Sequence, residues 1–408
     1  MNSSNPFPAA TTAVAVALGL ITLLGPASID MYLPSLPAMA NELGTDYATM
    51  QVTLTVFLLA LGGGQVVFGP LIDALGRRRP LLVALGVFVA TSAWAAFAQS
   101  VESLILARFF QGLSASLAIV TAMSSVRDVA EGVRATQIFA LLMTVQGLGP
   151  VIAPALGGVI GSAMGWRAVF AVLAALGAAV IVSSFILLPE SLPRAKRTPL
   201  RLGGIARTYA EILSDRRFLL PAASLTCAFV FLFAYIGGSS YAYQEFYGLT
   251  AASFGLVFGV TGLAVLVGAM ASARLAARVR VEKLASAGTL GMLAGAAVAL
   301  FSAVTGIGLP GIVLGMFIAL AGLGIAEATL MSIALATRTT ALGASAAVLG
   351  AVPMILGAAV TPFAALLVQE GASAWLGLLL AVVVLVTLLT FATLRMAQRI
   401  GLQAVSQH

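Results

Sequence analysis

The 408-residue chain is 61% hydrophobic and 9% charged, with a formal net charge of +7 and a mean hydropathy of +1.08, whereas a soluble domain has roughly a quarter of its residues charged. That much apolar surface exceeds what a core can hide in water, which excludes a large soluble protein and makes lipid the solvent. Cys227 is the only cysteine and His408, the last residue, the only histidine, so an intrachain disulfide, the usual His-containing zinc sites and imidazole base catalysis lack their residues.

Met1 to Ala10 is short and uncharged, with no basic leader or small-residue cleavage site, so the first apolar run is expected to stay as a spanning helix. Runs of about 20 apolar residues, the length of a span, lie near 12–36, 48–72, 80–99, 103–126, 135–160, 166–188, 218–240, 251–272, 284–304, 308–332, 342–367 and 373–394. The expected fold is an all-α membrane protein with twelve transmembrane helices in two six-helix halves, 1–188 and 218–408, joined by a linker, 189–217. The linker is basic, and Ile205, Tyr209 and Ile212 are spaced to line one side of a short helix on the membrane surface.

The basic residues sort by side. With both termini cytoplasmic, all but two of the 21 lysines and arginines fall in inner loops and tails. The exceptions are Arg167, in an outer loop, and Arg108, inside a span. This is the asymmetry of the positive-inside rule, and the expected topology is N-in, C-in. Trp94, Trp166 and Trp375 then fall at outer helix ends, where an indole can sit among headgroups.

Ionisable groups inside spans are costly and need a reason. Asp30 stands late in the first run, before Tyr32, Pro34 and Pro37; it is either a coupling carboxylate or an exposed residue in a proline-forced turn. Arg108, six residues after Glu102, is expected to face the bundle interior, with Gln111 as a polar neighbour and Gly112 allowing close helix approach. Asp30 and Arg108 both lie toward the outer half, so a direct or water-mediated pair is geometrically open to them. Burial and a guanidinium act in opposite senses on a carboxylate, so such a group can load and release a proton. Glu327, in the tenth run, has no lysine or arginine near it in sequence and is a proton carrier, a partner for a cationic substrate or a structural hydrogen-bonding group. Tyr32, Gln65, Gln146, Tyr235 and Tyr241 are further candidates for a cavity that takes flat, amphipathic molecules.

Three stretches read as conformational devices. Gly69 to Arg79 closes the second run on Asp73, Gly76, Arg77 and Arg78, a short basic turn that can clasp helices two and three. Arg127 and Asp128 at the inner end of helix four can add to it. In the fifth run, Gly147 to Gly161 combines Gly149, Pro150 and Pro154 with further small residues, which permits both bending and close packing.

These elements together resemble the major facilitator superfamily. Gly69 to Arg79 is similar to its loop signature, Arg108 to Gly112 to its helix-four motif and Gly147 to Gly158 to the helix-five motif of antiporters. Ser28 to Pro37, with Arg127-Asp128 and Gly165-Trp166-Arg167, resembles the bicyclomycin and chloramphenicol resistance branch of bacterial drug:proton antiporters. The resemblance implies the major facilitator fold, proton-driven export of small amphipathic drugs, Asp30 as the coupling carboxylate and Arg108 as its modulator. It also implies a bacterial cytoplasmic membrane location and a single chain as the functional unit. Its partners would be a small-molecule substrate, protons and the bilayer, without cofactor, metal or nucleic acid. No phosphate loop for ATP and no histidine-activated nucleophile is present, so an enzyme is not expected. Two alternatives stay open: a secondary transporter of a metabolite such as an amino acid or sugar, and a non-transporting membrane sensor or assembly protein.

Overall fold

The computed structural model describes residues 12–198, 202–338 and 341–399. Among these, twelve helices are long and apolar enough to cross a membrane. In hydrocarbon each backbone N–H and C=O must find its partner inside the segment, which leaves the helix as the form for such runs.

The first expected run departs from a single helix. It forms α1 (Thr12–Asp30), a 3-10 turn (Leu33–Ser35) and a short α2 (Leu36–Glu42). Pro34 and Pro37 take the opening positions of the turn and of α2, where the missing N–H has no intrahelical acceptor in any case. Asp30 is thereby left at the end of α1, at the break.

Next come α3 (Tyr47–Leu75), α4 (Arg78–Ala96), α5 (Val101–Val129), α6 (Gly132–Met164) and α7 (Trp166–Leu187). A surface helix, α8 (Leu202–Ser214), sits between the sixth and seventh spans. Ile212 is buried beneath it and Tyr209 half-buried, while the side chain of Ile205 lies outside the described residues. The remaining spans are α9 (Arg216–Tyr241), α10 (Ala251–Leu275), α11 (Val281–Val304), α12 (Leu309–Ala336), α13 (Leu342–Glu370) and α14 (Ala372–Arg399). A π-turn, Ala242–Phe246, extends α9.

One bundle packs α1 on α6, α3 on α5 and α4 on α5 and α7; the other packs α9 on α13 and α14, and α12 on α10 and α11. The bundles meet along α3 with α13 and α6 with α10. On the second seam, glycines let backbones touch. A side chain on Gly158 would run into the Ala251 carbonyl, one on Gly255 into Pro154, and one on Gly259 would stand 2.5 Å from the Val151 carbonyl oxygen.

The tryptophans divide differently from the headgroup expectation. Trp94 is exposed, but Trp166 and Trp375 are buried. The indole N–H of Trp375 donates to the Ala234 carbonyl (2.9 Å) and that of Trp166 to Glu42 (2.8 Å). Each large ring fills a gap between helices and finds an acceptor there, which outweighs a place at the interface.

Replacing Gly255 with valine should force α6 and α10 apart at this end. Spin labels at Ser162→Cys and Ser253→Cys, on a Cys227→Ser background, should report a longer separation in the Gly255→Val protein. An unchanged distance distribution would show that the seam does not depend on glycine.

Candidate functional site

Ser100 starts α5 by accepting a hydrogen bond from the Ser103 amide, and two turns on the helix sends Arg108 into the first bundle, fully buried. Its Nη2 donates to the Ser28 carbonyl (2.9 Å) and its Nη1 to Gln111 Oε1 (2.5 Å). Gln111 Nε2 donates to Ser92 Oγ (2.7 Å), which in turn donates to the Phe88 carbonyl (2.7 Å). The guanidinium carbon lies 4.1 Å from the ring centre of Phe57, 4.5 Å from Tyr32 and 5.8 Å from Phe170. The buried cation is thus held by a carbonyl, an amide and three aromatic faces, and among the described residues its Nε has no partner.

Asp30, buried two residues beyond Ser28, forms no ion pair with Arg108. Instead the guanidinium takes a carbonyl of the last turn of α1. The final carbonyls of a helix have no intrahelical donor and carry its negative end charge, so they attract a cation without help from a carboxylate. Arg108 therefore fixes the end of α1, and Asp30 with it. Tyr32 is fully buried beneath the guanidinium, its hydroxyl 3.3 Å from Thr53 Oγ1. Gly112 comes so close to the Phe57 carbonyl that no side chain fits between α5 and α3.

The other candidates occupy different places. Glu327 is half-buried on α12 and makes no hydrogen bond or ion pair among the described residues. Gln65 reaches across the bundles to Met354 Sδ (Nε2 to sulfur 3.8 Å), while Gln146 is half-buried on α6. Tyr235 stacks on Phe258 and Trp375, with its hydroxyl 2.8 Å from Thr261. Tyr241 packs on Tyr47, at the junction of the bundles. In α6, Gly149 lies against Pro26 of α1, while the Pro150 and Pro154 carbonyls face glycines of α10.

At the basic end, Arg77 Nη1 donates to Asp73 (2.7 Å) and its Nε to Asp128 (2.9 Å). Glu190, after α7, accepts from the backbone N–H groups of Arg77 (2.8 Å) and Arg78 (3.3 Å), where the start of α4 favours an anion. Arg78 Nη2 donates to the Phe185 carbonyl (2.8 Å). Gly76 turns at φ +96°, and a side chain there would also collide with Glu190 and Arg197. Arg127 is exposed and Gly69 has open space beside it. Across from this, the second bundle pairs Arg338 with Asp215 (3.0 Å). Each of these ties lies within a single bundle.

Bonds between the bundles lie elsewhere. Tyr47 and Gln51 donate to the Gly237 carbonyl (3.1 and 2.9 Å), and Thr55 and Thr361 share a bond (2.7 Å). Ser240 donates to Leu33 and Gln244 to Pro34. With Gln65, these contacts run from the start of α3 for about 27 Å along it and stop before the basic end.

Sequence reading missed Phe57, Phe170, Ser92, Glu190 and the cross-bundle groups Tyr47, Gln51, Thr55, Ser240 and Gln244. Among them only Glu190, an acid inside a basic stretch, carried a signal. Among the described residues no three His, Cys, Asp or Glu side chains gather as they would around a metal ion.

A family model described as Major Facilitator Superfamily matches residues 18–358. The chain is 37% identical to the uncharacterised MFS-type transporter YdgK of Bacillus subtilis over 65% of its own length and 66% of that protein. It is 28% identical to the bicyclomycin resistance protein homolog of Haemophilus influenzae, over 65% of this chain and 67% of the relative. Against the chloramphenicol resistance protein of Pseudomonas aeruginosa the identity is 38%, over 40% and 39%. The chain thus spans about two thirds or less of the length of these curated relatives. The structure of the human organic anion transporter MFSD10 has the same fold, with a TM-score of 0.70 at 18% identity over 93% of this chain and 99% of that one.

Arg108→Ala would strand the Gln111 and Ser28 oxygens in a dry core, at a cost of about 3 kcal/mol. Melting in detergent should show a lower transition temperature for Arg108→Ala and a smaller drop for Ser92→Ala. Equal melting of Arg108→Ala and the parent would remove the structural role given to the cation.

Proposed function

The chain belongs to the major facilitator superfamily, and from that premise we propose that it exports small amphipathic compounds of the chloramphenicol or bicyclomycin kind in exchange for protons. As a multi-pass member of this superfamily it is a secondary transporter that works by alternating access. The export reading draws on the kinship with proteins named for chloramphenicol and bicyclomycin resistance and on the placement of Asp30.

The observation that carries it is the break in the first span. Asp30 stands buried at the end of α1, next to the turn whose Leu33 and Pro34 carbonyls bond the opposite bundle. A carboxylate there sits beside the contacts that must open and close as the cavity changes sides. In our reading Asp30 gains its proton when its end of the protein is open and loses it when the basic end is open. Arg108, tied to the Ser28 carbonyl, keeps the α1 terminus in register during the change. We assign Glu327, an acid on α12 with no bonding partner among the described residues, a secondary part in handling the proton.

The basic end is assigned to the cytoplasm of a bacterial inner membrane, which makes this conformation the inward-facing one, and the working unit is a single chain. A membrane potential of −120 mV supplies about 2.8 kcal/mol per charge, enough for a concentration ratio of about 100.

Inverted vesicles with an imposed acid-inside gradient provide the test. Adding chloramphenicol or bicyclomycin should discharge the gradient with the parent protein, and Asp30→Asn should abolish the response at matched abundance. Glu327→Gln should reduce it. Full response from both variants would end the proposed proton role; proton influx driven by a nutrient, with no response to drug, would make the protein an uptake system.

A further inference from the structure

Between α9 and α13, beneath the end of α8, lies a cleft of about 260 Å3 that the transport reading does not use. Leu213 of α8, Phe218, Ala222 and Cys227 of α9, and Val352 and Leu356 of α13 form its walls. The Thr226 hydroxyl, also in the wall, already donates to the Ala222 carbonyl (2.8 Å). Walls of this kind offer water too few partners and favour hydrocarbon.

The two faces of α13 show where the cleft opens. Met354 and Ile355 turn toward Gly62 of α3 in the other bundle. Leu356, Phe363 and Leu366 are 50%, 53% and 55% exposed, and their spacing of seven and ten residues puts them on one stripe. That stripe continues past Thr361, where the bundles are bonded together, so it faces the surroundings and not the space between them. Leu356, at the lip of the cleft, therefore opens it to lipid.

The mouth is cationic. Arg216 and Arg217, both exposed, lie in the chain between Leu213 and Phe218. Their neighbour Asp215 is already occupied, with one oxygen accepting from Arg338 Nη1 (3.0 Å) and the other from the Arg217 backbone N–H (3.0 Å). The start of α9 adds its own partial positive charge. Two guanidinium groups with no partner among the described residues, at the rim of an apolar cleft, match an amphiphile with an anionic head and an aliphatic tail.

We propose that this is a binding site for an anionic phospholipid, with an acyl chain in the cleft between α9 and α13 and the phosphate against Arg216 and Arg217. The site rests on the membrane-spanning fold and not on the export reading. A lipid held there pins α8, the link between the bundles, at headgroup level.

The test uses the full chain in detergent with palmitoyl-oleoyl phosphatidylglycerol, and phosphatidylcholine of the same chains as control. Native mass spectrometry counts retained lipid, and intact mass follows modification of Cys227, the sole cysteine, by methyl methanethiosulfonate. Phosphatidylglycerol should be retained about tenfold more strongly than phosphatidylcholine and should slow the modification. Arg216→Ala with Arg217→Ala should remove both effects, and the corresponding lysine pair should restore them. Leu356→Trp, which fills the cleft and leaves the arginines in place, should lower retention. Equal retention of the two lipids, or selectivity that survives the alanine pair, would overturn the site. So would release of the lipid by chloramphenicol, since the cleft would then belong to the transported compound.

Discussion

A peptide group or charge without a partner costs several kcal/mol in hydrocarbon, and that constraint shapes the backbone, most buried hydroxyls and the buried cation of this structure. Helices satisfy the backbone, and many buried hydroxyls, such as Thr91, Ser125 and Thr226, donate to a carbonyl one turn back. The same rule governs the one fully buried cation among the described residues. Arg108 meets the free carbonyls at the end of α1, the side-chain oxygen of Gln111 and three ring faces. No carboxylate is needed, and Asp30 is left uncommitted beside it.

The strength of the bonds follows the division between rigid and moving parts. Within the first bundle, the basic end is held by charge-assisted contacts: Arg77 to Asp73 and Asp128, and Glu190 to the start of α4. Between the bundles the bonds are neutral, from Tyr47, Gln51, Thr55, Ser240 and Gln244, each worth about 1 kcal/mol net. Glycine-backbone contacts along α6 and α10 add dispersion without interlocking side chains. A seam of that kind can separate one weak contact at a time. The charged clasps keep each half intact while it does so.

α8 stands outside both bundles yet packs against α9 and α13. Its buried Ile212 and half-buried Tyr209 face the protein, while Arg207 and Glu211 pair on the exposed side. This amphipathic division suits a helix that lies along a membrane surface. The connection between the halves is thus a structured part of the second bundle's basic end.

Hydropathy and charge along the chain determined the twelve spans and the segregation of arginines to one end. Those properties depend on sequence neighbours alone. Arg108 and Glu327 were legible as anomalies because a charge inside an apolar run stands out whatever surrounds it. The partners were decided by the tertiary structure: the Ser28 carbonyl under Arg108, Glu190 at the start of α4, Trp375 inside the second bundle and the cleft beside Leu356. Helices that are apolar on every side carry no periodic signal of which way they face. Their rotation about the axis, and so every contact between them, is set by the packing of small residues and rings once the bundle has formed.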